Sequence, residues 1–228
     1  MTPQELKIEA AREAMKDVRS GMSLGLGSGS TAEEFVRLLG QAVKSGTIAN
    51  VRCTCTSKRT ESLAHDVGVS TFALAEVAPI DLAVDGADEI DGNLRLIKGR
   101  GGALLREKIV EQQARKFIVI ADESKIVARL GEGAFPVEVT PFALDVLFRR
   151  FSDEGLQPSL RMAGDQPRVT DEGNRIVDIR VPQKSDIADV VDGLRAMAGV
   201  VETGFFPHEA TEAIIAAPTG VRRMRRPG

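Results

Sequence analysis

The sequence repeats one arrangement, in which a short apolar strand is followed by a glycine-rich or acidic turn and then by a helix. The pattern is clearest at residues 22–39 and 94–115. Neighbouring parallel strands need a long crossover connection, and a helix usually supplies it. The alternation therefore predicts an α/β fold, with a mostly parallel, Rossmann-like sheet flanked by helices.

The elements of this sheet are predicted in the first part of the chain. A helix begins at Thr2, a residue type suited to the N-cap, with Pro3 at the first helical position and Glu5 completing a capping box. The further predictions are a helix around 35–39, helices at 60–67 and 103–115, and strands at 22–26, 51–56, 80–84, 94–97 and 117–121.

After about Leu130 the pattern changes to shorter strands, and residues 171–174 have the composition of a hairpin turn. The predicted strands here are 137–139, 159–162, 168–170, 175–181 and 200–205, and the predicted helices are 141–154 and 187–197. We predict a small α+β, ferredoxin-like domain at residues 131–205, inserted into a catalytic α/β domain formed by residues 1–130 and 206–228.

The end of the chain is predicted to return to the first sheet through a strand at residues 213–217. The residues that follow, 222–228, are basic. We expect them to form a solvated, frayed terminus.

The composition argues against some classes of partner. Of the 228 residues, 43% are apolar and 28% charged, as in a soluble globular protein, and the formal net charge is -3. This charge offers no general attraction to nucleic acid or to an anionic membrane, and the apolar runs are too short to span a bilayer. The amino-terminal segment also lacks the apolar stretch of a signal peptide. We therefore predict a cytoplasmic protein, with no nucleic-acid and no membrane partner, in which local groups bind any anionic substrate.

Cysteine and histidine do not suggest a metal site. Cys53 and Cys55 are two positions apart in a predicted strand and face the same side, but the chain has only two His to complete a ligand set. We expect both cysteines to be reduced thiols in or near the core.

A glycine-rich segment, residues 25–31, lies between the first predicted strand and the next helix. Its flexible backbone, its hydroxyl groups and the helix N-terminus suit a phosphate, although a simple connector with Thr31 or Ser30 as N-cap is the alternative. A dinucleotide site is disfavoured because Ser30 stands where a third glycine is needed. A Walker P-loop is excluded because no Lys follows the last glycine.

Two further turns carry charged residues at strand ends. Asp85 and Asp88 follow a buried strand, where α/β proteins bind ligands, although a solvated turn or a Mg²⁺ site would use the same residues. Lys98 opens a second glycine loop, and Glu107 lies about one turn into the helix after it. Lys125 follows another strand and adds a cation at the same predicted sheet edge.

Four segments, in this order and near these spacings, resemble type A ribose-5-phosphate isomerase: GLGSGSTA, DGADEID, KGRGGALLREKI and IADESK. The resemblance covers essentially the whole chain, including the segments at 5–7 and 170–178 and the GFF turn before the last strand. It implies an isomerase that interconverts D-ribose 5-phosphate and D-ribulose 5-phosphate through an enediol or enediolate, in the non-oxidative pentose phosphate pathway. It also implies no metal, no cofactor, and a homodimer or homotetramer.

The resemblance assigns roles to individual residues. Glu107 matches the proton-transferring base, Asp85 and Asp88 match acids that bind sugar hydroxyls and assist ring opening, and Lys98 matches the cation beside the reacting oxygens. The implied substrate-binding residues are Ser28, Gly29, Ser30, Thr31, Asp85, Gly86, Ala87, Asp88, Lys98, Gly99, Arg100, Gly101 and Lys125. Two positions depart from the family: Ser28 stands where Thr is usual, and Arg100 stands where many members have Gly.

Other functions remain as alternatives. An amino-sugar-phosphate deaminase or a coenzyme A transferase shares the broad architecture, but such a deaminase is expected to use a histidine, and His65 and His208 lie outside the motifs. A non-catalytic sugar-phosphate sensor would keep the glycine loop without a glutamate at the helix start, and would normally carry a DNA-binding module.

Overall fold

The computed structural model describes residues 1–133 and 135–226. Its helices are α1 (Pro3–Met15), α2 (Ser30–Lys44), α3 (Lys58–Asp66), α4 (Leu74–Val77), α5 (Leu104–Gln112), α6 (Leu144–Asp153) and α7 (Ile187–Arg195), with 3₁₀ turns at Glu123–Lys125 and Pro141–Ala143. Its strands are β1 (Ser23–Leu26), β2 (Arg52–Cys55), β3 (Leu82–Asp85), β4 (Glu89–Ile90), β5 (Leu96–Ile97), β6 (Phe117–Asp122), β7 (Phe135–Val139), β8 (Ser159–Leu160), β9 (Met162–Ala163), β10 (Gln166–Pro167), β11 (Arg175–Ile179), β12 (Val200–Thr203), β13 (Phe205–Phe206), β14 (Glu212–Ala217) and β15 (Gly220–Arg225).

The main sheet has six strands in the order β15-β14-β6-β3-β1-β2. The pairs from β14 to β2 are parallel, and β15 pairs antiparallel with β14. Every residue of β3, β6 and β14 is buried, as expected for strands covered on both faces. Helices α1 and α2 contribute Ala10, Phe35 and Leu39 to the core on one face of the sheet. The predicted α/β fold with a mostly parallel sheet is confirmed.

Residues 135–203 contain a second sheet, of four antiparallel strands in the order β12-β7-β11-β8. With α6 and α7 the element sequence is βαββαβ, which is the ferredoxin-like arrangement predicted from the sequence. Its own core includes Phe135, Phe151 and Val177. We call residues 135–203 the antiparallel unit. The division of the chain into two domains, with boundaries after residues 130 and 205, stays a prediction.

A three-stranded sheet, β13-β5-β4, lies where the antiparallel unit joins the rest of the chain. The backbone N–H of Lys98 donates to the carbonyl of Gly204 at 2.9 Å. A Cβ atom at Gly204 would lie 2.4 Å from the Lys98 carbonyl oxygen, so the two backbones can approach this closely only with glycine at 204. This contact fixes the start of the Lys98 loop.

The expectation for the carboxyl terminus was wrong. Residues 220–225 are not a frayed tail but form β15, which extends the main sheet beyond β14. Ion pairs add to the pairing with β14: the Arg223 guanidinium lies 3.1 Å from Glu13, 2.7 Å from Asp17 and 3.3 Å from Glu212. Residues 227 and 228 lie outside the described part of the chain.

Smaller differences concern the ends of elements. The helix expected at 141–154 starts with a 3₁₀ turn and becomes α-helical at Leu144, and the strand expected from Leu94 starts at Leu96 because Leu94 adopts φ +57°. In place of a strand at 168–170 the structure has β10 and a single bridge between Val169 and Arg175. Within residues 1–133 and 135–226, no helix combines the length and the apolar character needed to cross a membrane.

Candidate active site

The carboxyl ends of β1, β3 and β6 open onto one cavity of about 460 Å³. Parallel strands present their carboxyl ends at one sheet edge, so loops far apart in sequence meet here. The residues that line the cavity are Pro3, Leu6, Lys7, Ser28, Gly29, Ser30, Thr31, Gly86, Ala87, Asp88, Lys98, Gly99, Arg100, Gly101, Glu107, Asp122, Glu123, Ser124 and Lys125. All the residues predicted from the sequence lie in this lining except Asp85, which is directly behind it.

Asp85 is a buried carboxylate that organises two loops. Its Oδ1 accepts hydrogen bonds from the backbone N–H groups of Ser28 at 2.9 Å and Gly86 at 2.6 Å. A Cβ atom at Gly27 would lie 2.2 Å from the Asp85 carboxyl carbon, so only glycine allows β1 to end against this side chain. Gly27 is therefore needed in the first loop because it allows the Asp85 side chain to approach the backbone closely.

Lys98 lies at the centre of a buried ionic cluster. Its ammonium group donates to the Gly86 carbonyl at 2.7 Å and lies 2.9 Å from Asp85 Oδ2. It also lies 3.2 Å from Glu111 Oε1 and 3.7 Å from Glu107 Oε2. Burial opposes the charge of Lys98, but the carboxylates, Asp85 foremost, outweigh burial and raise the pKa of Lys98. The lysine is therefore a fixed positive charge beside the cavity.

Glu107 reaches the cavity from the first turn of α5, and only 5% of its side chain is exposed. Its Oε2 has no hydrogen-bond partner among the described residues. Burial raises the pKa of Glu107 to about 8, with smaller contributions from Asp85 and Asp88, and Lys98 opposes this rise. A carboxyl group that faces a substrate cavity and titrates near neutral pH has the properties of a general base.

Sequence analysis did not find Glu111, the third carboxyl of the cluster. It lies one helical turn after Glu107, on the same face of α5, and its side chain is fully buried. Burial raises its pKa well above the ordinary value. The i, i+4 spacing from Glu107 was the available signal, but nothing in that spacing shows that the position is buried.

The glycine loop after Lys98 is held from two sides. The backbone N–H of Arg100 donates to Asp88 Oδ2 at 2.8 Å, and the Arg100 side chain is largely exposed. From the antiparallel unit, Arg161 donates to the carbonyls of Gly99 at 2.6 Å and Arg100 at 3.0 Å, and Arg168 donates to the Gly101 carbonyl at 2.6 Å. These two arginines were not predicted as site residues, because only the folded chain brings them to the loop.

The loop after β1 presents hydroxyl groups and the N-terminus of α2. The Ser28 hydroxyl contacts three other hydroxyls, those of Thr56 and Ser57 at 2.7 Å and Thr60 at 3.1 Å. Gly29 precedes α2 with φ +94°, so its conformation suits glycine. The hydroxyl cluster orients the loop, and the positive N-terminal end of α2 lies at the cavity.

Two lysines flank this helix end. Lys7 of α1 donates to the Ser30 hydroxyl at 2.9 Å, and Lys125 lines the cavity at the carboxyl end of β6. Lys125 was predicted as a substrate-binding residue, whereas Lys7 was noted only as part of an amino-terminal motif. Together with the helix end they make this side of the cavity positive.

The cysteines lie apart from the cavity. Cys53 is buried in the main core, Cys55 packs against it, and both are free thiols, as predicted. Burial raises the pKa of each thiol to about 12. In the part of the chain that the structure describes, no group of three or more His, Cys, Asp and Glu side chains is arranged to hold a metal ion.

Comparison with known proteins identifies the chemistry that this arrangement serves. Residues 52–220 match the family described as ribose 5-phosphate isomerase A (phosphoriboisomerase A). The chain is 46% identical over 231 residues to ribose-5-phosphate isomerase A of Sinorhizobium fredii, covering 98% of this chain and 99% of that protein. It is 42% identical over 227 residues to the enzyme of the same name from Deinococcus radiodurans, covering 99% and 100%.

Solved structures agree over the whole length. A D-ribose-5-phosphate isomerase in complex with phospho-erythronic acid superposes with a TM-score of 0.95 at 40% identity, covering 99% of this chain and 100% of that chain. Ribose 5-phosphate isomerase from Plasmodium falciparum gives a TM-score of 0.94 at 34% identity, with the same coverage. The chain therefore belongs to the ribose-5-phosphate isomerase A family and is an isomerase that interconverts ribose 5-phosphate and ribulose 5-phosphate.

Proposed function

We propose that Glu107 is the base that moves hydrogen between C2 and C1 of the open-chain sugar phosphate. The observation that carries this proposal is the position of its carboxyl group, which lines the cavity and lies 3.7 Å from the Lys98 ammonium group. A base for a carbon acid must lie within reach of the carbon, and a carboxyl group that lines the cavity meets this requirement.

The proposed reaction needs no group beyond the side chains of the site. Glu107 takes the proton from C2, the C2–H electron pair forms the C1–C2 double bond, and the C1 carbonyl electrons move to O1. The result is a cis-enediolate. Glu107 then returns the proton to C1, while the O2 hydroxyl proton passes to O1 and leaves a carbonyl at C2.

Lys98 stabilises the enediolate mainly through the electric field of its positive charge and not through a direct hydrogen bond. Its ammonium group lies within 3.2 Å of Asp85, Gly86 and Glu111, so its donors are engaged before substrate arrives. Because it is fixed and buried, its positive charge acts on the developing oxyanion in a poorly screened environment without reorganisation. Asp85 holds this charge in place, while Asp88, which reaches the cavity, contacts the sugar hydroxyls and assists ring opening.

The phosphate group of the substrate is proposed to bind at the positive side of the cavity. Gly29, Ser30 and Thr31 supply hydroxyl and backbone N–H donors at the start of α2, Ser28 lines the same loop, and Lys7 and Lys125 supply charge. Gly86, Ala87, Gly99, Arg100 and Gly101 line the rest of the cavity, where the remainder of the sugar would lie.

A related isomerase has been solved in complex with phospho-erythronic acid. Phospho-erythronic acid is a sugar-acid phosphate, and its carboxylate shares a negative charge between two oxygens, as an enediolate does. We propose that the same class of ligand competes with ribose 5-phosphate in this cavity. We further propose a cytoplasmic homodimer or homotetramer that works without metal or cofactor, as the family resemblance implies.

The test compares Glu107→Gln with the parent protein. The variant keeps the size of the side chain and loses the basic oxygen, so we expect kcat to fall by roughly 10²–10⁴-fold, the usual contribution of a positioned base. Affinity for phospho-erythronic acid, measured by calorimetry, is expected to change little because the phosphate binds elsewhere. Glu9→Gln on the exposed face of α1 is the control. If Glu107→Gln binds the ligand and turns over ribose 5-phosphate within threefold of the parent rate, Glu107 is not the base.

A further inference from the structure

The cluster around Lys98 contains more negative groups than positive ones. Three carboxyl groups, those of Asp85, Glu107 and Glu111, lie around one ammonium group, at 2.9, 3.7 and 3.2 Å respectively. If all three were ionised, the cluster would carry a net charge of about −2 in a buried site, where unpaired charge is costly. At least one of these carboxyl groups is therefore expected to hold a proton at neutral pH.

The contacts show where that proton belongs. Asp85 Oδ2 and Glu111 Oε1 lie against the same Lys98 ammonium group, at 2.9 and 3.2 Å, which brings the two carboxyl groups together. Two carboxyl oxygens in such contact repel each other unless a proton lies between them. In the described structure, neither Asp85 Oδ2 nor either oxygen of Glu111 has a hydrogen-bond donor apart from the nearby ammonium group.

Glu111 and Glu107 differ in their surroundings. The Glu111 side chain is sealed, with 0% exposure, and does not line the cavity, whereas Glu107 does. The charged groups that face the cluster are Asp85 from β3, Asp88 from the turn after it, Lys98 from the loop after β5, and Glu107 and Glu111 from α5. Phe117 of β6 and Phe206 of β13 close the cluster with apolar rings, 5.9 and 5.6 Å from the ammonium group.

We propose that Glu111 is a positioning residue that holds a proton shared with Asp85, so that Glu107 is the carboxyl group of the cluster that ionises for catalysis. The proposal rests on the assignment of Glu107 as the base. With the proton on the Asp85–Glu111 pair, the cluster contains one ammonium and two negative charges. A second negative charge at Glu111 would disfavour ionisation of Glu107 one turn away.

The direction of the pKa shift at Glu111 agrees with the geometry. Burial is the largest contribution and raises the pKa well above the ordinary value, while Lys98 opposes it. Lys98 lies nearer to Glu111 than to Glu107, but complete exclusion of solvent outweighs this attraction.

Infrared spectroscopy tests the proposal without requiring activity. We expect the C=O stretch of a protonated carboxyl group, at a pH well above the Glu107 pKa of about 8 so that Glu107 is ionised, in the parent and in Glu107→Gln, and its loss in Glu111→Gln. Glu138→Gln is the matched control, because Glu138 is another buried glutamate whose pKa is raised by burial and it lies outside the cluster. A band that survives in Glu111→Gln and disappears in Glu107→Gln would overturn the proposal.

The pH profile of the same variant provides a second readout. Glutamine has the charge and size of a protonated glutamate, so Glu111→Gln is expected to leave the acid limb of kcat/KM in place. If Glu111 is ionised in the parent, its removal favours ionisation of Glu107 and moves the acid limb to lower pH, which contradicts the proposal.

If Glu111→Gln does not fold, Glu107→Gln labelled with carboxyl-¹³C glutamate replaces it. The Glu138→Gln substitution is added to that protein to remove the contribution of Glu138. The remaining C=O band must then shift on labelling, and a band that does not shift contradicts the proposal. Failure of Glu107 as the base would show as activity of Glu107→Gln, whatever the infrared result.

Discussion

The guanidinium group of Arg161 donates a 2.6 Å hydrogen bond to the backbone carbonyl of Gly99, so a side chain of the antiparallel unit holds the loop that follows Lys98. The same guanidinium forms a two-point ion pair with Asp178, including a 2.8 Å bond from Nε. The ion pair with Asp178 thus holds the Arg161 side chain in the orientation in which it contacts the loop. The antiparallel unit contributes to the active site in this way through positioning, since it supplies no residue to the cavity lining.

Arg161→Lys is expected to loosen the glycine loop. Lysine keeps the positive charge opposite Asp178. Its ammonium group cannot replace the planar guanidinium group, which donates to the Asp178 carboxylate and to the Gly99 carbonyl at the same time. A displacement of about 1 Å at a catalytic loop can cost up to about 10²-fold, so we expect kcat/KM to fall by roughly tenfold or more, with the fold retained. Steady-state kinetics with ribose 5-phosphate measure the effect.

The control for this prediction is Arg150→Lys, at an exposed position of the same unit, where Arg150 pairs with Glu154 on the surface of α6. An Arg161→Lys enzyme as active as Arg150→Lys would show that the loop keeps its geometry without the contact.

Much of this architecture was predictable because it depends on local patterns. The alternation of buried strands and helices predicted the parallel sheet, and strand ends in such a sheet necessarily share an edge. Asp85 and Lys98 were proposed as site residues because each follows a predicted strand, and Glu107 because it lies about one turn into the helix after the second glycine loop; the family resemblance then assigned their roles.

The rest depends on contacts between distant residues. The Arg161–Gly99 bond joins residues 62 positions apart, and no local pattern marks Arg161 as different from other arginines. Glu111 has the right spacing from Glu107, but its complete burial follows only from the packing of α5 in the folded chain. The strand β15 was missed because its residues are mostly exposed and basic, so only pairing with β14 explains it.

Phosphate recognition is expected to depend on Lys7 and Lys125. Each contributes a cation to the positive side of the cavity, and hydrogen bonds to charged groups contribute about 1.5–3 kcal/mol. Lys7→Ala and Lys125→Ala are therefore expected to raise KM by roughly tenfold to 10²-fold, with a smaller effect on kcat. Lys44→Ala, at the opposite end of α2, is the control.

The same prediction concerns ligands without the sugar. Sulfate and inorganic phosphate should compete with ribose 5-phosphate, and unphosphorylated ribose should be a very poor substrate. Equal kcat/KM for ribose and ribose 5-phosphate would show that the loop at residues 28–31 is only a connector.

Activity is expected to survive exhaustive chelation. The Lys98 ammonium group occupies the space between Asp85 and Glu107 in which a bound cation would sit, and Asp88 Oδ2 accepts from the Arg100 backbone. Protein groups therefore already occupy the positions that a bound cation would take. The measurement is kcat/KM before and after dialysis against EDTA. A loss that added Mg²⁺ restores would revive the metal-site interpretation of Asp85 and Asp88.

The last prediction concerns pH and follows from the burial of Glu107. The base must be ionised to take the C2 proton, and burial raises its pKa to about 8, compared with an ordinary value of about 4.3. Because the raised pKa belongs to an acid that works in its ionised form, activity is present above that pKa and is lost as the pH falls through it. We expect the acid limb of kcat/KM well above pH 5, toward about 8.

The substrate also titrates, since the second pKa of a phosphate ester is about 6, and this must be separated from Glu107. The profile of kcat at saturating substrate reports the bound complex and removes the effect of substrate ionisation on binding. If Glu107 is the titrating base, Glu107→Asp shifts the limb, because the shorter carboxylate stands at a different distance from Lys98. An acid limb near pH 4–5 in both profiles would mean that the base is a solvated carboxylate, and the buried position of Glu107 would then have to serve structure instead.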